Sequence, residues 1–208
     1  MSKKPIIFSG EMVKAILDGR KTQTRRVIKP QPEPCGEGGW MYGGDYQADA
    51  DCMKDHLFHN VYGTDKCPYG GVYADGTADT LWVREAWAEA FNYTHDIECE
   101  TPIYKADGVV LDLRHKQIKW KPSIHMPRWA SRINLLVKDM RVERVQDITA
   151  EDVEAEGVVW ERRHCCNNED CGATMLERFA CLWDSINSKR GFGWDVNPWV
   201  WVVEFEVK

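Results

Sequence analysis

The stretch Trp199-Val-Trp-Val-Val-Glu-Phe-Glu-Val207 decides the class of fold. Its second half alternates, with Trp201, Val203, Phe205 and Val207 on one face and Val202, Glu204 and Glu206 on the other. This period of two is typical of a β-strand that packs one face against a core. The stretch therefore predicts a strand whose tryptophans belong to the interior.

Five further segments upstream have strand character, and three have helical character. The helix signals are N-cap residues and capping boxes followed by apolar residues at helical spacing, with glycines as stops. The predicted strands are 80–84, 102–105, 118–120, 131–137 and about 140–145, and the predicted helices begin at Ser9, Thr149 and Thr174. The first two helices end at Gly19 and Gly157. Short strands without a βαβ rhythm favour an α+β fold, a small β-barrel flanked by about three helices.

The 208 residues have a net charge of −6, and this charge is distributed unevenly. Between positions 30 and 80 there are nine acidic residues and two lysines, so this segment carries −7 and the remainder +1. The same region is rich in Gly, Pro, Asp and Tyr and has no periodicity, which predicts a long irregular insertion at about 33–78. We expect one domain over 1–208, with a second insertion at about 160–173. The charge excludes a nucleic-acid coat protein but not a local basic site.

The sequence shows no signal-peptide core and no apolar run of membrane-spanning length, so we expect a cytoplasmic protein without membrane association. Among the eight cysteines there is no CxxC pair. The only group dense enough for zinc is His164, Cys165, Cys166 and Cys171, and free surface thiols are the alternative. We expect neither a metal nor another cofactor, and the oligomeric state stays open.

The segment Gly19-Arg-Lys-Thr-Gln-Thr-Arg-Arg26 has the most unusual composition. Between Lys14 and Lys29 there are six basic residues and one acidic residue, Asp18. Clustered Arg and Lys with two hydroxyls suit a phosphate or carbonyl ligand. A solvated basic loop is the alternative.

The spacing Gly19-x-Lys21-x-x-Thr24-x-Arg26 resembles the signature of the ASCH family, a PUA-like β-barrel group associated with RNA. That signature has Gly, Lys, Glu and Arg at these positions, and this chain departs from it at Thr24. The stretch is also similar to that of the small bacterial N4-acetylcytidine amidohydrolases of this superfamily. In those enzymes the Lys, the second Thr and a later Glu are catalytic, which implies Lys21, Thr24 and Glu156 here.

Three further blocks, 81–87, 122–132 and 197–201, resemble phage- and prophage-encoded ASCH proteins. The resemblance thus covers most of the chain outside 33–78 and 160–173, and it implies a PUA-like fold. The chain is much longer than the small hydrolases.

Amide hydrolysis also makes chemical sense for these residues. A threonine hydroxyl needs a base, and Lys21 can be that base only if its pKa falls. We expect repulsion from Arg20, Arg25 and Arg26 to lower this pKa and Glu156 to oppose the shift. An arginine, or backbone N–H groups beside Gly19, would hold the oxyanion. Lys21 and Thr24 would point to opposite faces of a regular strand, so a straight strand over 21–24 would contradict the hydrolase hypothesis.

Other candidates for ligand binding lie further along the chain: Arg84, Glu85, His125 and Arg128. A surface ion pair is the alternative for Arg84 and Glu85, and a structural role is the alternative for His125. The segment 114–132 has six basic residues and no acidic ones, and it includes Trp120 and Trp129. With 14–29 it could form a nucleic-acid track, since single-stranded bases stack on aromatic rings.

The leading hypothesis is an RNA- or modified-nucleoside-binding ASCH protein that removes the acetyl group of N4-acetylcytidine. The alternatives are a non-catalytic RNA-binding module, a ribonuclease that depends on His125, and a phage accessory or interaction protein whose working surface is the acidic insertion.

Overall fold

The computed structural model describes residues 3–34, 40–42, 45–47, 78–89, 102–108, 118–159 and 174–208. The strands are β1 (Lys3–Ile7), β2 (Gln23–Val27), β3 (Glu33–Pro34), β4 (Trp40–Tyr42), β5 (Asp45–Gln47), β6 (Thr80–Arg84), β7 (Trp87–Glu89), β8 (Pro102–Tyr104), β9 (Asn134–Arg144) and β10 (Trp199–Val207). The helices are α1 (Gly10–Leu17), α2 (Ala150–Ala155) and α3 (Met175–Asn187). None of the described helices is both long and apolar enough to cross a membrane.

The main sheet has five strands in the order β1-β6-β9-β10-β2. The β1–β6 pair is parallel and the other pairs are antiparallel. Strand β9 unites the segments 131–137 and about 140–145, which the sequence predicted as separate strands, into one strand that begins only at Asn134. Its ladder with β10 shifts register between Glu204 and Phe205, so a bulge rather than a turn separates the two halves.

Both faces of this sheet are packed. Trp201, Val203 and Phe205 join α1 in one core, while Val200 and Val202 join α2 and α3 in another. The alternation predicted for β10 is confirmed for Trp201, Val203 and Phe205, but Val207 is 52% exposed and the opposite face is packed as well. Trp199 and Trp201 are buried as predicted; Trp183 of α3 is buried too, whereas Trp82 of β6 is half-buried.

The α+β class and the three flanking helices are confirmed, but the described strands form an open sheet and not the predicted closed barrel. Strands β1 and β2 are the two edges, and no ladder joins them in the described part of the chain. Side chains bridge the gap instead: Arg26 Nη2 of β2 donates to the Ile7 carbonyl of β1 at 2.7 Å. The sheet curls far enough to bring its edges together without closing.

The predicted helix signals act as capping groups. The Ser9 hydroxyl accepts from the Met12 amide at 3.4 Å, and Thr149 and Thr174 each form a reciprocal capping box. Gly157, which follows α2, has a φ of +80°, a conformation that favours glycine.

Several strand predictions were wrong or incomplete. Residues 118–120 form no strand, although Lys121 makes one bridge to Trp87. The sequence missed β1 and β2, whose polar residues hide the alternation. The region expected to be irregular contains the small antiparallel sheet β3-β4-β5, while 48–77 and 160–173 lie outside the described residues.

Candidate functional site

A cavity of about 570 Å³ lies where β1 and β2 approach each other. One wall comes from β2 and the turn before it and carries most of the polar groups. The other comes from α3 and is mostly apolar. The residues that line the cavity are Ile7, Phe8, Ser9, Met12, Lys21, Thr24, Arg25, Arg26, Val27, Lys29, Glu156, Phe179, Leu182, Trp183, Ile186, Asn187 and Arg190.

Lys21 and Glu156 form a buried ion pair in this cavity. Lys21 Nζ donates to Glu156 Oε2 at 2.7 Å and to the Glu156 carbonyl at 2.8 Å. The two residues also form an isolated antiparallel bridge, in which Lys21 follows α1 and Glu156 ends α2. Only 3% of Lys21 and 6% of Glu156 is exposed. The pair therefore lies in a low-dielectric setting in which each charge depends strongly on the other.

Glycine at position 157 permits this close approach of α2 to the lysine. A Cβ atom on Gly157 would lie 2.9 Å from both Ala15 Cβ and Lys21 Cβ. Such contacts are too short for carbon atoms, so a larger residue would force Lys21 or α1 to move. The backbone itself thus contributes to the position of the lysine.

Arg25 shares the same carboxylate and ties β2 to α2. Its guanidinium donates to Glu156 Oε1 at 3.4 Å and to Asp152 Oδ2 at 2.8 Å, and it also contacts Glu143. Arg141 donates to Asp152 Oδ1 at 2.8 Å from the opposite side. Since Glu156 interacts with both Lys21 and Arg25, its negative charge is divided between two cations.

The pKa of Lys21 is lowered from its usual value of 10.5. Burial is the main cause, because it disfavours the charged ammonium group, and the nearby Arg26 and Arg25 lower the pKa further. Glu156 acts in the opposite direction through its charge and its hydrogen bond, but it does not cancel the effect of burial. The direction agrees with the sequence prediction, although the main cause was not anticipated and Arg20 does not contribute.

Residues 21–24 do not form a straight strand. Strand β2 begins at Gln23, while the Thr22 amide donates to the Ala155 carbonyl of α2 at 2.9 Å. Lys21 and Thr24 both line the cavity, and Thr24 is 4% exposed. Arg26 follows on the same strand, with its guanidinium carbon 5.1 Å from the centre of the Phe8 ring. Together with Glu156 and Arg25, these residues bring a hydroxyl, an amine, a carboxylate and two guanidinium groups to one side of the cavity.

The remaining predicted residues of the motif lie beside the cavity. Gly19 has a φ of +72° and ends α1. Arg20 does not line the cavity, and its guanidinium donates to Asp18 at 2.9 Å. The Arg20 side chain therefore lies at the protein surface and outside the cavity in which a ligand would bind.

The second predicted group, Arg84, Glu85, His125 and Arg128, does not line the cavity. Glu85 is 1% exposed and makes two hydrogen bonds with Arg132, at 3.0 and 3.1 Å. Burial raises the pKa of Glu85, against the opposing effect of Arg132. His125 is exposed at the end of a short turn. The structure thus separates the predicted residues into two groups.

Sequence analysis missed Lys29, Arg190 and the apolar wall of α3 as parts of the site. Lys29 falls inside the basic segment 14–29, so composition gave a signal for it. Leu182 and Ile186 follow the helical spacing of α3 but gave no indication that they face a cavity.

In the part of the chain that the structure describes, no group of three or more His, Cys, Asp or Glu is arranged to hold a metal ion. The candidate cluster of His164, Cys165, Cys166 and Cys171 lies outside the described residues.

No family model, curated protein or solved structure matches this chain.

Proposed function

We propose that this protein hydrolyses the acetyl amide of N4-acetylcytidine, with Thr24 as nucleophile, Lys21 as base and Glu156 as the residue that positions Lys21. The observation that carries the proposal is the buried Lys21–Glu156 pair in the same cavity as Thr24. A lysine whose pKa is lowered can exist as a neutral amine and accept a proton. The resemblance of the 19–26 motif to ASCH-type amidohydrolases points to the same three residues.

The hydrogen bonds of Lys21 suit this role. A neutral amine has two N–H donors and one lone pair, and two oxygens of Glu156 accept from Nζ. Both donors are then used, so the lone pair remains for the proton of Thr24. Glu156 also accepts a hydrogen bond from Arg25, which reduces how strongly its carboxylate favours the protonated form of Lys21. Glu156 can therefore position the neutral amine of Lys21 by hydrogen bonding.

In the proposed first step, the Thr24 oxygen attacks the acetyl carbonyl carbon and its proton passes to Lys21. The carbonyl oxygen becomes an oxyanion, and we assign the Arg26 guanidinium as its hydrogen-bond donor, because Arg26 and Thr24 lie on the same face of β2 and both line the cavity. When the carbonyl re-forms, the bond from the acetyl carbon to N4 breaks, and Lys21 returns the proton to N4. Cytidine leaves, and Thr24 carries an acetyl ester.

Water completes the cycle by attacking this ester. Lys21 accepts a proton from the water and returns it to the Thr24 oxygen as the ester bond breaks. Acetic acid is released and the free hydroxyl is restored. With one water consumed, the atoms balance without an oxidant or any further reactant.

The walls of the cavity suit a nucleoside or nucleotide. Phe179, Leu182 and Ile186 offer apolar surface to a planar base, while Lys29 and Arg190 offer positive charge at the same cavity. Apolar surface combined with polar and charged groups at defined positions is typical of small-molecule sites.

The test is turnover of N4-acetylcytidine by the purified protein, followed as release of cytidine. Lys21→Arg keeps the positive charge but cannot accept a proton, and Thr24→Val keeps the shape but removes the hydroxyl. Each should lower kcat by about 10²–10⁴-fold. Lys138→Arg is the matched control, because Lys138 lies on β9 outside the cavity and should leave turnover unchanged. If the intact protein releases no cytidine, or if Thr24→Val retains full activity, this mechanism is wrong.

Binding of RNA without catalysis is the second candidate, and the cations Arg26, Lys29 and Arg190 favour it. In that case Thr24→Val would bind RNA as the intact protein does and neither would release cytidine. The structure gives less support to a ribonuclease that depends on His125, because that residue is exposed and away from the cavity.

A further inference from the structure

A second surface with the chemistry of a nucleic-acid site lies on β6 and the turns over 123–130. It consists of Trp82, Arg84, Arg128 and Trp129, and we call it the Trp82–Trp129 surface. Trp129 is 64% exposed, which is unusual because tryptophan loses favourable burial when it faces water. Trp82 is half-buried, and the side chains of two arginines lie close to its ring.

The two arginines stack on the Trp82 indole. The guanidinium carbon of Arg84 lies 5.2 Å from the ring centre and that of Arg128 lies 5.7 Å from it. Each also donates to a neutral oxygen, Arg84 to the Met126 carbonyl at 3.0 Å and Arg128 to Asn134 Oδ1 at 2.5 Å. Neither forms an ion pair with a described residue. Their charges are therefore held in place and remain available to an anion.

The exposed Trp129 is fixed in its orientation. Its ring meets the buried Trp87 edge to face, with 5.5 Å between the ring centres and 89° between their planes. It also lies on a short turn, Arg128–Ala130, that follows a proline and whose last residue is buried. An indole held in one orientation with its surface in water is suited to stacking on an unpaired base. Because the ring is already ordered, the protein loses little conformational entropy when the base binds.

The Trp82–Trp129 surface adjoins the cavity across β1. Ile7 of β1 pairs with Arg84 of β6, and the Phe8 amide donates to the Arg84 carbonyl at 3.2 Å. Ile7 and Phe8 both line the cavity. Neighbouring strands lie about 4.8 Å apart, and paired residues of parallel strands share a face. Ile7 and Arg84 thus project on the same side, and a chain leaving the cavity over Ile7 meets Arg84 next.

We propose that the Trp82–Trp129 surface binds a single-stranded polynucleotide that continues from the base held in the cavity. Arg84 and Arg128 would contact phosphates, and Trp129 would stack on an unpaired base. The proposal rests on the proposed function only in taking the cavity as the place of the modified base. It makes acetylated cytidine within a polynucleotide a better substrate than the free nucleoside, which the cavity accepts on its own.

The test is binding of an unmodified, fluorescein-labelled oligouridine RNA of about eight nucleotides, measured by anisotropy at several salt concentrations. The intact protein should bind, with affinity that falls as salt rises. Trp129→Leu should weaken binding about tenfold, because it keeps apolar bulk but loses the stacking ring, whereas Trp129→Phe should weaken it less. Arg128→Ala should weaken binding and make the slope of log binding constant against log salt concentration shallower by about one, as expected for one lost phosphate contact.

Lys138→Ala is the matched control for lost charge, since Lys138 is exposed and pairs with Glu206 instead of lying on this surface. It should change affinity by about twofold or less. Equal thermal unfolding of all variants would show that the fold is intact. Absence of binding, unchanged affinity in Trp129→Leu, or an equal loss in Lys138→Ala would overturn the proposal.

The two proposals can fail separately. The RNA probe has no acetyl group, so its binding does not depend on hydrolysis. RNA binding without cytidine release from N4-acetylcytidine would support this surface and contradict the proposed function. Cytidine release without RNA binding would support the proposed function and contradict RNA binding at the Trp82–Trp129 surface.

Discussion

At the scale of single residues, the feature that defines the site is a lysine that is buried without losing its hydrogen bonds. An isolated ammonium group in an apolar interior would be strongly destabilising. Lys21 avoids this because two oxygens of Glu156 accept hydrogen bonds from its Nζ, while burial still lowers its pKa. An arginine could fill the space and keep the charge, but it could not give up a proton at any pH in the working range.

Gly157 provides a test of how tightly this lysine is positioned. Gly157→Ala strains a backbone φ of +80° and brings a Cβ to 2.9 Å from Lys21 Cβ, whereas Gly191→Ala strains a similar φ of +81° with nothing within 4 Å. Each strained position should cost about 1–3 kcal/mol of unfolding free energy, measured in urea. Gly157→Ala should cost more than Gly191→Ala, and it alone should lower turnover of N4-acetylcytidine. Equal effects of the two variants would show that the contact with Lys21 does not matter.

At the scale of elements, the site depends on the attachment of α2 to the edge strand β2. Arg25 lies on the strand with 1% of its side chain exposed, and it pairs with Glu143, Asp152 and Glu156. Asp152 also closes the capping box at the start of α2, so one carboxylate begins the helix and holds it to the sheet. Glu156 at the other end of α2 then reaches Lys21.

Removing Arg25 should therefore be costly. Arg25→Ala leaves three carboxylates close together without their shared cation, and we expect a loss of about 3–5 kcal/mol in unfolding free energy. Arg20→Ala is the control, because the Arg20–Asp18 pair is exposed and the other hydrogen bond of Arg20, to the Gly157 carbonyl, is long at 3.5 Å; its loss should cost about 0–1 kcal/mol. Chemical denaturation of both variants measures the difference. A loss in Arg25→Ala no larger than that in Arg20→Ala would contradict the role assigned to this network.

The elements with local signals could be predicted from the sequence, and the others could not. Capping residues marked the three helices, and alternation marked β10. Strand β2 escaped prediction because its buried residues include Gln23, Thr24 and Arg25, which become acceptable in the interior only through partners distant in sequence. Strand β1 has a proline and two lysines, a composition that suits an edge strand but obscures the pattern.

At the scale of the whole molecule, the cavity is a consequence of how the sheet curls. The two edge strands approach each other without pairing, and the space between them holds Lys21, Thr24 and Arg26. The resemblance to ASCH proteins pointed to the motif residues, but the contribution of α3 and of Lys29 and Arg190 depends on long-range packing that a single sequence does not reveal. The parallel pairing of β1 with β6 places Arg84 beside Ile7, which lines the cavity.

The central claim is that Lys21 can be a neutral base in this cavity, and the pKa of its side chain tests it most directly. NMR of protein with isotope-labelled lysine side chains follows the Nζ and Cε signals against pH, with Lys21→Arg used to assign the resonance. We expect Lys21 to titrate with a pKa below its usual value of 10.5, and we expect turnover of N4-acetylcytidine to rise with pH as Lys21 loses its proton. A pKa at or above 10.5 would mean that Lys21 stays a cation, and it would contradict the proposed mechanism.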